Sequence, residues 1–169
     1  IAGKKVIIEE FLVGDEVSVF AFVDEGNISN IIAACDYKKL SDGNIGPNTG
    51  GMGCYSPPIN WNFNLSEKIK KQIIYPIVKA LANLGTPYSG VLYSGLILCE
   101  DGPKVLEFNC RFGDPEAQTI LPLLKTDIID LILKISDNKL NDINVEWSHE
   151  SSVSIVIASG GYPEKYDTG

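Results

Sequence analysis

The sequence is poor in the residues from which many sites are built. It has one histidine, His149, and four cysteines, Cys35, Cys54, Cys99 and Cys110, with no CxxC pair among them. The usual zinc ligand sets cannot be assembled from that stock, and the cysteines read as reduced thiols of a cytoplasmic protein. No apolar run approaches the roughly 20 residues that a membrane span needs, which rules out membrane spanning. Fourteen basic residues face 22 acidic ones, and the net charge of -8 leaves no general attraction for nucleic acid or anionic lipid. An anionic ligand would need a local device. The only methionine is Met52 and no signal-peptide pattern opens the chain, so the 169 residues read as an internal piece or a trimmed product. Arginine is scarcer still than the acids would suggest: Arg111 stands alone beside 13 lysines, and a guanidinium recognises carboxylate or phosphate in a planar, two-pronged way that lysine cannot imitate.

What is present is enough for a globular core, with 44% hydrophobic residues and no need of disulfide or metal staples. Val6–Leu12, Glu16–Val23 and Ile28–Cys35 are β-branched or aromatic-rich runs separated by turn signals at Gly14 and Asp24–Asn27, which predicts an antiparallel meander. From Asp36 to Asn60 the apolar period stops, and a loop of about 25 residues is expected, far beyond the usual roughly 4 to 6. Asn64–Glu67 offers a capping signal, and Ile69, Ile73, Ile77 and Leu81 then repeat at i+4, which predicts a helix kinked at Pro76. Gly90–Cys99 and Lys104–Phe108 flank Glu100–Pro103 as a hairpin. Asp114–Pro115–Glu116 reads as an N-cap with proline at N1, leading into Ala117–Leu124 and, after Thr126–Asp127, a helix to Ser136. The polar stretch Asp137–Glu150 predicts a linker. A last strand over Ser152–Ala158 ends at Gly160–Pro163 and is read as the opening of a further domain.

Three clusters carry candidate chemistry. Glu107, Asn109 and Arg111 stand at i, i+2 and i+4 on a predicted strand, so a carboxylate, an amide and a guanidinium share one face while Phe108 and Cys110 point away. That set either holds Mg²⁺ with substrate phosphates and steadies a transferred phosphoryl group, or is the polar face of an edge strand with an ordinary Glu–Arg contact. The run from Gly46 to Gly53 has four glycines in eight residues. It is either an anion nest with help from Asn48 and Thr49, or simply a flexible loop; it is neither a Walker A loop nor a Rossmann fingerprint. Upstream, Asp36, Tyr37, Lys38 and Lys39 set acid and base at a strand end, which a solvated charge cluster also explains. Glu9 and Glu10, two adjacent acids within the run ending at Phe11 and Leu12, are followed by Glu16, and a carboxylate near a strand end can accept from ribose hydroxyls. His149 belongs to the surface, and Trp61 and Trp147 to packing.

The motifs EEFLVGDEVS, CDYK, GPNTGGMGCYSP, YSGLIL and EFNCRFGDPE, in that order, resemble those of the phosphoribosylamine–glycine ligases, ATP-grasp enzymes of purine biosynthesis. The resemblance runs through essentially the whole chain. It implies an α+β fold, the C-terminal ATP-grasp subdomain, with a mostly antiparallel sheet and packed helices over 1–145. Residues 146–169 would be a linker and the first strand of a C-terminal domain, with the remaining parts of the same protein as partners. The implied activity joins glycine to 5-phosphoribosylamine at the expense of ATP. By resemblance, Glu107 and Asn109 hold Mg²⁺ or Mn²⁺, Arg111 stabilises the transferred group, and Glu9, Glu10, Phe11 and Leu12 form the hinge that reads adenine, with Glu16 at the ribose. Asp36, Lys38, Asn48, Thr49, Gly50, Gly51 and Asp114 would face phosphoribosylamine. Other ATP-grasp enzymes carry a further metal acid on the strand before Glu107, where this chain reads YSGLIL, and Tyr37 stands where relatives have histidine. Two further readings remain: another ATP-grasp carboxylate–amine ligase, or a non-catalytic nucleotide-binding piece. Taken alone, the chain is expected to be inactive.

Overall fold

The eight consecutive buried residues Val17–Asp24 explain why a sheet is built around them: a strand this apolar must be covered on both faces. In the computed structural model of the protein, residues 6–166 and 168 are described. Residues 1–5, with Asp167 and Gly169, lie outside the described residues, and so do the outer limits of the expected 1–145 and 146–169 segments. Strand β1 spans Asp15–Asp24, β2 Asn27–Ile28, β3 Ile32–Asp36, β6 Gly53–Ser56, β7 Ser89–Cys99, β8 Gly102–Asn109 and β9 Ser152–Ile155; between them, β4 (Lys39–Ser41) and β5 (Ile45–Asn48) form a separate hairpin. The large sheet runs β8-β7-β1-β3-β6-β9, with β2 also on β1, and its strand pairs are antiparallel. Helices α1 (Phe63–Ile69), α2 (Tyr75–Asn83), α3 (Glu116–Ile120) and α4 (Ile128–Ser136) pack on it, so the α+β expectation holds.

Register assigns the faces. Val17, Val19, Ala21 and Val23 of β1 share one face with Ala33, Leu92 and Leu96, and α1 and α2 cover it through Ile69, Ile73, Ile74 and Val78. On the other face Phe20, Ile32 and Tyr93 pack under Ile120 and Leu123, and Phe22 packs under Leu131 and Ile135 of α4. Burying these side chains contributes about 1.5 to 3 kcal/mol each. The cover on the second face reaches as far as Ser18, 1% exposed beneath Glu116, and gives out beyond it at half-buried Glu16 and exposed Glu107. Toward the other end of the strands it carries Glu16 and Ser18 of β1, and Gly95 and Glu107 of β7 and β8.

Local departures from the sequence reading have local causes. Val6–Leu12 is not a strand; no strand pairs with it among the described residues, and Ile8 and Phe11 are 95% and 90% exposed. The expected long loop is broken by β4, β5 and β6, because Ile45 and Gly53–Ser56 find antiparallel partners in Ser41 and β3. The first helix begins at Phe63, one residue before Asn64: the Asn62 side chain accepts from the Leu65 amide at 3.0 Å and is the N-cap. Pro76 does not sit mid-helix. A π turn over Lys70–Ile74 resets the ladder, and the proline falls in the first turn of α2, where its missing N–H has no duty. Asp114 is not a cap either; Pro115 holds that position and the Asp114 carboxylate accepts from Gln118 at 2.8 Å.

The stretch read as a linker is packed. Leu140 and Val145 are each 3% exposed, and Trp147 stacks on Phe22 at 6.1 Å. The Leu140 amide donates to the buried Asp24 carboxylate at 2.9 Å. These contacts are spaced too irregularly along the chain to leave a period. Strand β9, read as the opening of a further domain, pairs with β6 from Gly53↔Ile155 to Ser56↔Ser152. No helix among the described residues is long and apolar enough to cross a membrane.

Candidate functional site

The polar half of the second face gathers most of the candidate site residues. A β-bulge places its edge: Gly95 pairs with Glu107 but Leu96 pairs with Val105, so Leu106 is an extra residue. Val105 therefore turns with Leu96 toward the helix-covered face, while Glu107 turns with Gly95 toward the open one. The two approach closely, since a Cβ on Gly95 would lie 3.4 Å from the Glu107 Cγ, in van der Waals contact. Glu107 and Asn109 share that face, and the Asn109 amide donates to Glu107 Oε1 at 3.0 Å. Strand β8 ends at Asn109, so Arg111 lies on the following loop rather than on the strand. Its guanidinium donates to the Phe112 carbonyl at 2.8 Å and makes no ion pair among the described residues, so the ordinary Glu–Arg contact is not formed.

Asp36, at the end of β3, has an Oδ1 that is buried without a partner. Burial raises its pKa to about 6; Lys38 opposes the rise, and Glu116 and Glu16 add to it. Lys38 forms an ion pair with Glu16. Burial alone would lower the Lys38 pKa, but the Glu16 hydrogen bond and the Asp36, Glu16 and Glu116 charges leave it raised. With Asn48, these residues line a cleft of about 970 Å³. That cleft stops short of Glu107, Asn109 and Arg111. The two groups are joined by the sheet: Glu107, Gly95 and Ser18 are side by side in register, spanning about 10 Å.

Residues that the sequence reading passed over complete the floor. Glu116 is 3% exposed, and its Oε1 accepts from Ser18 and from Tyr93, both at 2.9 Å. A Cβ on Gly113 would collide with this carboxylate, so the loop bearing Arg111 is seated directly on it. The one visible signal was Ser18, a hydroxyl interrupting an otherwise apolar strand.

The glycine-rich loop is not an open anion nest. The Thr49 amide donates to the Lys38 carbonyl at 2.7 Å, Gly51 to Thr49 Oγ1 at 3.0 Å, Met52 to the Tyr37 carbonyl at 2.8 Å and Gly50 to the Tyr162 hydroxyl at 3.0 Å. Every amide from 49 to 52 is engaged, and the loop is tied down rather than flexible. Glu9, Glu10 and Phe11 are exposed and Leu12 is half-buried on the segment leading into β1, where Glu10 reaches Lys104 of β8 at 3.4 Å. Burial raises the pKa of Cys35 and pushes that of Cys54 up to about 12, which keeps both thiols protonated and unreactive.

Residues 1–117 match the family described as phosphoribosylglycinamide synthetase, ATP-grasp (A) domain. The chain belongs to this ATP-grasp family. It is 48% identical over 168 residues to the phosphoribosylamine–glycine ligase of Caldanaerobacter subterraneus subsp. tengcongensis, a match covering 99% of this chain and 40% of that protein. It is 47% identical over 169 residues to the trifunctional purine biosynthetic protein adenosine-3 of Gallus gallus, covering 99% of this chain and 17% of that protein. The crystal structure of the phosphoribosylamine–glycine ligase of Thermotoga maritima superposes with a TM-score of 0.82 at 34% identity, over 94% of this chain and 40% of that one. The chain thus spans about two fifths of the length of such single-activity relatives. Membership carries with it the ATP-grasp fold.

Among the described residues no group of three or more His, Cys, Asp and Glu side chains is placed to hold a metal ion. Glu107 and Asn109 nevertheless offer two hard oxygen donors on an open face. Such a short set suits Mg²⁺, which keeps several waters and shares substrate phosphates.

Proposed function

We propose that the chain is part of a ligase that joins glycine to 5-phosphoribosylamine with cleavage of ATP, in purine biosynthesis. The observation that carries this reading is the 48% identity to a phosphoribosylamine–glycine ligase along 99% of the chain. The open polar floor supports it. A glycine carboxylate oxygen attacks the γ-phosphorus, ADP leaves, and glycyl phosphate forms; the amine nitrogen of phosphoribosylamine then attacks the acyl carbon, phosphate leaves, and an amide bond results. Glu107 and Asn109 would hold Mg²⁺ or Mn²⁺, which when bound neutralises charge on the ATP phosphates. Arg111, exposed and without an acidic partner among the described residues, would reach the transferred phosphoryl group. Glu9 to Leu12 would face adenine and Glu16 the ribose. Asp36, with its unpartnered oxygen, suits a donor from the phosphoribosylamine, beside Lys38, Asn48 and the 49–51 loop, with Asp114 on the facing loop.

The same reading divides the chain near residue 145, with the residues beyond that point belonging to the next domain. Val153 and Ile155 on β9 are 70% and 80% exposed, an apolar face left uncovered by the described residues. Four free cysteines fit a reducing, cytoplasmic setting. The test is ADP release by the full-length protein carrying this sequence, measured with each substrate omitted in turn. Release is expected to need glycine and, for turnover, phosphoribosylamine. Release driven by a different carboxylate and amine would assign another ligase of the fold, and nucleotide binding without release would make the chain a binding module.

A further inference from the structure

We infer that Tyr162, far outside the 1–117 family match, is a positioning residue of the substrate site, acting through the glycine-rich loop. Of the amides from Thr49 to Met52, three are satisfied by Tyr37, Lys38 and Thr49, which adjoin the loop or lie within it. Only Gly50 depends on a distant part of the chain, donating to the Tyr162 hydroxyl oxygen at 3.0 Å across 112 residues. The contact is close by construction: a Cβ on Gly50 would lie 3.4 Å from that oxygen.

Tyr162 is itself fixed. Gly161 has φ +93, and a Cβ there would collide with the Lys165 carbonyl, so the turn can be made only with glycine. The Tyr162 amide donates to the Ser159 carbonyl at 3.2 Å, the Glu164 amide to Gly161 at 3.0 Å, and the ring meets Tyr166 edge-on at 5.4 Å. Strand β9 anchors the turn to β6, immediately after the loop, and the Val156 amide donates to the Met52 carbonyl at 3.0 Å. On its opposite side the loop is wedged by Gly51, φ +125, whose missing side chain makes room for the Pro115 ring. The loop is thus held between Tyr162 and the segment that carries Arg111, and Tyr162 sets one of those two walls.

This inference rests on the reading of the 48–51 loop as the part of the site that faces phosphoribosylamine. If it holds, losing the hydroxyl loosens the loop and weakens that substrate, while ATP, read at Glu9 to Leu12, Glu16, Glu107 and Asn109, is spared. The test compares Tyr162→Phe with wild type in the full-length protein by two readouts. Hydrogen exchange of the peptide covering 48–53 is expected to reveal one amide exchanging about 10-fold faster. The KM for phosphoribosylamine is expected to rise about 5- to 10-fold with kcat and the KM for ATP nearly unchanged. Unchanged exchange would overturn the positioning role. Faster exchange with an unchanged KM for phosphoribosylamine would overturn the link to substrate and with it the loop's place in the site. Absence of any glycine-dependent ADP release by the wild type would instead count against the proposed reaction, and the exchange comparison would still decide whether Tyr162 holds Gly50. Tyr162→Ala separates hydroxyl from ring: matching Phe assigns the effect to the hydroxyl, whereas a defect in Ala alone makes Tyr162 a packing residue and overturns the inference.

Discussion

The two faces of strand β1 are built to different rules. On one, Val17, Val19, Ala21 and Val23 form an unbroken aliphatic stripe covered along its length by α1 and α2. On the other, Phe20 and Phe22 are covered by the segments around α3 and α4, but Ser18 and Glu16 continue the same face into an open polar floor. The first face answers only to packing. The second changes character within two residues, and the change is made by Glu116, whose buried carboxylate is held by Ser18 and Tyr93 at the boundary. The Glu116 carboxylate is buried but satisfied by these two hydrogen bonds, so the apolar face gives way to the polar one without an orphaned group at the boundary.

The contrast between the faces is tested first from the packing side. Leu96→Ala, at a side chain with no exposed surface on the covered face, is expected to destabilise the protein by about 3 kcal/mol in denaturant unfolding while leaving the KM values of the folded enzyme unchanged. Arg111→Lys is the converse. It should lower kcat/KM about 30-fold, near 2 kcal/mol of transition-state stabilisation, with no change in the melting temperature, because among the described residues the guanidinium holds only the neighbouring Phe112 carbonyl. Wild-type kcat/KM in that variant would return Arg111 to an ordinary surface role.

Asp36→Asn should have the smallest effect, and of opposite sign. The folded carboxyl has its pKa raised to about 6 from an ordinary 3.8, burial being the main cause. Between those values the folded state holds the proton more tightly than the unfolded one, so this group's contribution to stability falls as pH rises from about 4 through about 6. Above that window the variant should be more stable than wild type by about 1 kcal/mol, after allowance for solvent screening, and below pH 4 the difference should vanish. An advantage that persists at pH 3.5 would point to some cause other than ionisation.

The covered face was legible in the sequence, because Glu16–Val23 and Gly90–Cys99 are long and apolar, and Ile69, Ile73, Ile77 and Leu81 keep a helical period. Glu107 and Asn109 were legible together through strand alternation. Their face was not, since it depends on the extra residue Leu106, and an insertion in a pairing register leaves no mark on one strand read alone. The 137–150 segment was misread for a related reason: Leu140, Val145 and Trp147 each fill a separate gap over Phe22 and its neighbours, with no period to announce it. Glu116 and Tyr162 act through partners 98 and 112 residues away, and pairings at that separation are set by the assembled sheet.

The central claim is that the open half of the second face serves binding and contributes little to the fold. Its most direct test is the melting temperature of Glu107→Gln in the full-length protein, with and without Mg²⁺ and ATP. Without nucleotide the variant is expected to melt within about 1 °C of wild type, since Glu107 is exposed and bonded only to Asn109 among the described residues. With saturating Mg²⁺ and ATP, wild type should rise by several degrees and the variant should not. A variant that melts early without nucleotide, or that keeps the full nucleotide-dependent rise, would contradict the account.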